Sequence, residues 1–314
     1  MNFRTLTDLS RIIFSHIHEI PKDVDIIAGI PRSGMLAANI IALYLNLPLA
    51  DIDSLAENRI YIPGTSRKKP SYTIKEARKI LVVDDSSASG QSLSEARNKL
   101  SSTGISEKLI FLAVYVSEES KNFPDMYFEV VEFPRMFEWN CLHHPGLEVA
   151  CFDIDGVLCP DPSEEQNDDG EKYISFIRNV PARFTPTYKI GWLITSRLEK
   201  YRDDTECWLR NNNIHYGELI MMNFATKEER IRSGSHGKFK AEHYRRIKKA
   251  DIFIESNESQ AAEIAELSGK LVFCTDTHKV YEEGTARKIK QKLRRKISRM
   301  LPKKLKDAIK SIIR

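Results

Sequence analysis

Residues 80–92 read ILVVDDSSASGQS, and this stretch decides the fold of the first half. Ile80–Val83 form a short apolar run, as expected of a strand covered on both faces of a parallel sheet. Two adjacent carboxylates, Asp84 and Asp85, end the run. Ligands bind at the carboxyl ends of strands in open α/β sheets, and paired acids there suit the vicinal hydroxyls of a ribose. Ser86, Ser87, Ala88, Ser89, Gly90, Gln91 and Ser92 then make a loop of small and hydroxyl residues that enters a helix. Its N–H groups and hydroxyls can cradle a phosphate, helped by the helix dipole. A plain solvent loop does not explain two acids directly after an apolar strand.

Working outward, the first half alternates strand and helix signals. Helical patterns cover Leu6–Glu19, Met35–Leu45 and Gln91–Leu100, and strand patterns cover Val24–Ile30, Lys79–Val83 and Leu109–Val116. Such alternation predicts a parallel α/β sheet. The stretch AGIPRSGMLAA places Arg32, Ser33 and Gly34 between the first strand and a helix. Between Ser54 and Lys75 lies a polar, basic, aperiodic segment with Arg59, Arg67, Lys68 and Lys69, which predicts a mobile loop.

The Asp-Asp, three-residue spacer and Ser-Gly-x-Ser end resemble the sugar-pyrophosphate loop of type I phosphoribosyltransferases. That resemblance implies phosphoribosyl pyrophosphate (PRPP) as donor and Mg²⁺ as cofactor. Asp84–Ser92 would then hold the phosphoribose, and Arg32, Ser33 and Gly34 the pyrophosphate. The basic loop would cover the pyrophosphate. Acceptor contacts would come from Phe133–His144, with Glu138, Trp139, His143 and His144 as candidates.

Residues 149–158 read VACFDIDGVL and restart the strand–helix pattern. Asp153 and Asp155 stand two apart at a strand end. One carboxylate can attack phosphorus, and the other can protonate the leaving alcohol and then activate water. Further strands are expected at Tyr188–Ile194, Asp251–Ile254 and Leu271–Phe273, with helices at Tyr201–Asn211, Lys240–Lys248 and Gln260–Leu267. The DxDG spacing resembles haloacid-dehalogenase-type (HAD) phosphatases. By that resemblance Thr195 binds the phosphoryl group, with Ser196 and Arg197 nearby. Lys240, read as opening a helix, is favoured over Lys238 as the charge-neutralising lysine. Asp153, the Asp155 carbonyl and Glu255 would hold Mg²⁺. The family's second acid at the last motif has no clear counterpart, and Asn257 and Glu258 are the candidates. About 40 residues separate Asp155 from Thr195 and about 45 separate Thr195 from Lys240, too few for a large cap. A capless site favours a bulky substrate.

The 314 residues suit two domains, and 41% hydrophobic with 29% charged residues indicates a folded, soluble chain. No run is long and apolar enough for a membrane span, and the N-terminus has no signal-peptide core. Five scattered cysteines favour neither a disulfide framework nor a zinc site, which suits a reducing cytoplasm. The net charge of +4 is uneven: residues 285–314 hold 13 basic residues and one acid, so the tail carries +12 and residues 1–284 carry −8. Ile289, Leu293, Ile297, Met300 and Leu301 recur at helical spacing within that tail. A basic amphipathic tail fits an anionic membrane surface, and its lack of aromatic residues argues against nucleic acid.

The expected architecture is therefore α/β, with two Rossmann-like parallel-sheet domains at 1–146 and 147–284 and a helical tail at 285–314. The pairing resembles two-module ribofuranosyltransferases of bacterial surface-polysaccharide assembly. It implies transfer of 5-phosphoribose to a glycan, then removal of the phosphate to leave β-ribofuranose, at the cytoplasmic membrane face. Self-association is compatible with the sequence. The other readings are a nucleobase phosphoribosyltransferase joined to a nucleotide phosphatase, and a PRPP sensor.

Overall fold

The computed structural model describes residues 1–61, 73–234 and 236–284. Arg67, Lys68, Lys69 and the basic tail lie outside the described residues. Contacts divide the chain into two compact units, with the break between Trp139 and Asn140, just before the His143–Gly146 stretch expected to separate the domains.

The first unit runs β1 (Asn2–Arg4), α1 (Leu6–His16), β2 (Val24–Gly29), α2 (Gly34–Leu45), β3 (Leu49–Asp51), α3 (Ile52–Ala56), β4 (Lys79–Ser86), α4 (Gln91–Leu100), β5 (Leu109–Val116), β6 (Met126–Val130) and β7 (Arg135–Phe137). Its main sheet has order β3-β2-β4-β5-β6, and every pairing is parallel. β1 and β7 pair separately. Alternate residues of the central strands feed two cores: Ile27, Leu81 and Val83 pack with α1 and α2, while Ile26, Ile80 and Val82 pack with Leu93 and Ala96 of α4. Coverage of both faces explains the unbroken apolar runs. A capping box of Thr5 and Asp8 starts α1.

The second unit runs β8 (Ala150–Phe152), α5 (Glu171–Asn179), β9 (Ile190–Leu198), α6 (Arg202–Asn211), β10 (Tyr216–Met222), α7 (Lys227–Ser233), α8 (His236–Arg246), β11 (Ile252–Glu255), α9 (Glu258–Ser268), β12 (Leu271–Cys274) and β13 (Lys279–Tyr281). Its sheet has order β10-β9-β8-β11-β12-β13, parallel except for the last pair. The α/β class and parallel Rossmann-like sheets are as expected. Among the described residues, no helix is long and apolar enough to cross a membrane.

Chain order reverses between β2 and β4 in the first sheet and between β8 and β11 in the second. Crevices open at the carboxyl ends of strands at such switch points. The sequence motifs follow β2, β4, β8 and β11, so topology gathers them in pairs.

Candidate active sites

In the first unit, β4 extends through Ser86, so Asp84 and Asp85 are the last part of the strand rather than its exit loop. Both are buried. The Asp84 carboxylate accepts from the Asp85 N–H at 2.9 Å. Burial, and then the charge of Asp85, pushes Asp84 up to about 8. Trp139 Nε1 donates to Asp85 Oδ2 at 2.8 Å. The indole stacks on Phe137 with centroids 4.9 Å apart.

The following loop is pinned by its main chain. Ser87 N–H donates to the Tyr115 carbonyl at 2.8 Å. The Ser87 carbonyl accepts from Ser120 Oγ at 2.8 Å and from the buried Arg135 guanidinium at 2.7 Å. Ser87 Oγ is buried without a hydrogen-bond partner. Ala88, Ser89, Gln91 and Ser92 are exposed, while Gly90 is buried at the start of α4. The loop thus offers exposed groups from a fixed base.

Arg32 and Ser33 precede α2, with Arg32 exposed and the Pro31–Arg32 peptide cis. Ile30 N–H donates to the Val83 carbonyl at 2.9 Å, which ties this turn to β4. A Cβ on Gly34 would stand 2.7 Å from the Val83 carbonyl and 3.1 Å from Asp84 Oδ1. Glycine is therefore what lets the Arg32–Gly34 turn pass close to the end of β4. Arg32–Gly34 and Asp84–Ser92 lie together at one switch point, and Asp84 and Asp85 are hard oxygen donors of the kind Mg²⁺ takes. Of the acceptor candidates, Trp139 reaches this carboxylate pair. Glu138 accepts from the Leu6 N–H, His144 Nδ1 accepts from the Gly146 N–H, and His143 contacts Thr187.

Residues 3–141 match the family model for the phosphoribosyl transferase domain. This segment is a phosphoribosyl transferase domain. Phosphoribosyl transfer in general is consistent with that domain. Among solved structures, the chain is similar to a purine phosphoribosyltransferase from Pyrococcus horikoshii, with 19% identity, 44% of this chain and 92% of that chain covered, and a TM-score of 0.33. It is also similar to the Helicobacter pylori xanthine-guanine-hypoxanthine phosphoribosyltransferase, with 16% identity, 44% and 92% covered, and a TM-score of 0.35. No curated protein matches the chain. The phosphoribosyl transferase domain accounts for less than half of the length.

In the second unit, Asp153 follows β8 and its N–H donates to the Ile254 carbonyl at 3.0 Å. Lys240 Nζ donates to Asp153 Oδ2 at 2.5 Å, Glu255 Oε2 at 2.7 Å and Gln260 Oε1 at 2.8 Å. Lys240 is 1% exposed. It lies inside α8 and does not open it, because the helix starts at His236. Lys238 is exposed. Burial pushes Asp153 up to about 6, against the pull of Lys240. Burial also opposes the charge on Lys240, but Asp153 and Glu255 overcome it and hold the lysine protonated.

Asp155 accepts from Arg197 Nη2 at 2.6 Å and from Arg197 Nε at 3.1 Å. Arg197 is fully buried. This fork fixes the Asp155 carboxylate. Gly156 has φ +79, and a Cβ there would lie 2.1 Å from Ser256 Oγ. The glycine of DIDG is thus required by both conformation and space.

Asp153, Asp155, Thr195 and Lys240 line one cavity of about 160 Å³. Asp161, Asn167, Tyr173, Ser196, Arg230, His236 and Gln260 share it. Arg230 was not legible because KEERIRS reads as a solvated helix. Asp153 and Glu255 converge on one cation, the Lys240 ammonium, so this hard-oxygen pair fits Mg²⁺. Asp155 can contribute only its main-chain carbonyl while Arg197 holds its side chain. Among the described residues, no three His, Cys, Asp or Glu side chains group for a metal. Neither candidate for the extra acid points to the cavity: Asn257 caps α9, and Glu258 accepts from Tyr281.

The interval between Asp155 and Thr195 holds α5, and that between Thr195 and Lys240 holds α6, β10 and α7. These intervals contain no separate folded cap among the described residues. An open groove of about 600 Å³ shares Asp161 with the cavity and is walled by Glu165, Gln166, Lys172, Phe176 and Asn179.

Proposed function

We propose that this chain transfers 5-phosphoribose from PRPP to a glycan acceptor and then removes the 5-phosphate. The product would be a β-ribofuranosyl residue of a bacterial surface polysaccharide. One observation carries the second step: Asp153, Asp155, Thr195 and Lys240 meet at one cavity. They do so in a chain whose first half is a phosphoribosyl transferase domain.

In the first step an acceptor hydroxyl oxygen bonds to the anomeric carbon as the bond to pyrophosphate breaks, and the hydroxyl proton passes to the released pyrophosphate. The transition state has oxocarbenium character, so the domain's task is positioning and charge stabilisation. Asp84 and Asp85 would hold the ribose hydroxyls, and the Ser86–Ser92 loop the 5-phosphate. Arg32, Ser33 and Gly34 would hold the pyrophosphate. Mg²⁺ on the carboxylate pair would supply charge neutralisation for the leaving group.

In the second step Asp153 attacks phosphorus and the ribosyl O5–P bond breaks. Asp155 donates the proton to the departing alcohol. It then takes a proton from water, whose oxygen displaces Asp153 and releases phosphate. The Arg197 fork keeps Asp155 oriented through both transfers. Thr195 and Lys240 stabilise the phosphoryl charge. The neighbouring groove has room and polar groups for a saccharide leaving group, which supports a glycan product. Loss of phosphate would make the transfer irreversible. The basic amphipathic sequence of residues 285–314 supports an anionic membrane surface as the place of assembly.

The test is mass spectrometry of acceptor panels, glycans and nucleobases, incubated with PRPP and Mg²⁺. Asp153→Asn should give a phosphoribosyl-glycan and wild type a ribosyl-glycan. Products from a nucleobase alone would replace the glycan reading with nucleoside synthesis.

A further inference from the structure

We infer that Arg230 and Ser196 form an anion-binding pair for the phosphoryl group of the monoester, additional to Thr195 and Lys240. The inference rests on the phosphatase reading of the same cavity. Arg230 is carried by α7 and is 8% exposed. Its Nη1 donates to the Ser196 main-chain carbonyl at 2.9 Å. Its Nε is buried and has no hydrogen-bond partner. The Ser196 hydroxyl is likewise buried and unpartnered. Both residues line the cavity that holds Asp153 and Asp155.

An unpaired buried donor is costly, about 1–3 kcal/mol and more for a charged group, so two on one small cavity call for a ligand. The other cations are already committed. Lys240 is held by Asp153 and Glu255, and Arg197 by Asp155. Among the described residues, Arg230 makes no ion pair with a carboxylate; its guanidinium meets the Ser196 carbonyl and the Tyr173 phenol, with Tyr201 and His236 also within its field. A tetrahedral dianion would satisfy the Nε–H and the hydroxyl together, through charge-assisted hydrogen bonds.

The probe is inorganic phosphate, titrated calorimetrically into full-length protein with Mg²⁺, beside steady-state hydrolysis of ribose 5-phosphate. Ser196→Ala removes the hydroxyl but keeps the carbonyl that tethers Arg230. Arg230→Lys keeps charge without the Nε–H. Each should weaken phosphate binding about 5- to 30-fold and raise KM by a similar factor, with an unchanged melting temperature for Ser196→Ala. A purely structural tether predicts a lower melting temperature for Arg230→Lys and normal phosphate affinity in both variants, and that result overturns the inference. Wild-type protein that neither binds phosphate nor hydrolyses the ester would remove the phosphatase reading and this pair with it. Normal wild-type behaviour with unaffected variants would remove the pair alone.

Discussion

Replacing Lys240 by Met leaves the buried Asp153 and Glu255 carboxylates facing each other without their shared ammonium. Breaking a buried ion pair by deleting one partner costs about 3–5 kcal/mol. Here one cation serves two carboxylates at 2.5 and 2.7 Å, so the upper part of that range applies. With a urea m-value of about 2 kcal/mol per molar, the midpoint should fall by about 2 M at pH 8. The assay needs a probe in the second unit. Of the three tryptophans only Trp139 belongs to the first, so a Trp139→Phe background leaves Trp192 and Trp208 as reporters. The sign of the pH dependence follows from linkage. In the parent, Asp153 is raised to about 6, so the native state keeps a proton that the unfolded chain has lost. The contribution of Asp153 to parent stability therefore falls from about pH 4 to pH 6 and then levels. Without Lys240, one carboxylate must hold its proton to higher pH, and the loss should continue beyond pH 7. Asp153→Asn in the Lys240→Met protein should recover much of the deficit. Equal midpoints at pH 8, or a deficit independent of pH between 5 and 8, would refute the shared-ammonium account.

Two further substitutions test the strand ends. Asp84→Asn should abolish pyrophosphate release yet stabilise the metal-free first unit, increasingly so as pH rises from 4 to 8. Asp84 is raised to about 8, so wild type loses stability through that window and the amide variant does not; hydrogen exchange of β4 amides in a chelator reads the difference. Gly156→Ala should lower the melting temperature and phosphatase activity, because the methyl would meet Ser256 Oγ at φ +79. Ser256→Gly added to it should restore part of the stability, leaving the conformational cost of about 1 kcal/mol and the 3.0 Å approach to Asp161 Oδ2.

The elements legible in the sequence were those with a strong local signal. Runs such as Ile80–Val83 and Leu109–Val116 are apolar throughout because helices cover both faces of the sheet. β1, β3, β7 and β13 have three residues each, too short for periodicity to show, and they exist through tertiary pairing. The acids, Gly34 and Gly156 were marked by spacing, since each sits where backbone must pass close to backbone or ligand. In sequence Lys240 reads as the head of a helix, a position it does not occupy. Its burial, which sets it apart from Lys238, comes from the approach of α8 to α9, where a Cβ on Gly237 would lie 2.1 Å from Glu263. Arg230 had no sequence mark at all. Charge-dense α7 looks solvated, and only the fold turns one arginine inward.

The two units solve one problem with the same device. Under the proposed function, each needs carboxylates that are buried enough to be oriented yet open to a charged ligand. Each places them where chain order reverses, at β2 and β4 in one sheet and at β8 and β11 in the other. Their electrostatics then diverge. The Asp84–Asp85 pair has an indole and main-chain donors but, among the described residues, no buried cation bonded to it, and burial with the charge of Asp85 raises Asp84 to about 8. Asp153 and Asp155 instead have Lys240 and Arg197 built in, with Lys240 shared by Glu255, so cations offset much of the carboxylate charge before substrate enters. An exchange donor that arrives with its own metal suits the first arrangement. A phosphoryl group attacked directly by an aspartate suits the second, because the nucleophile must stay ionised while an anion approaches it.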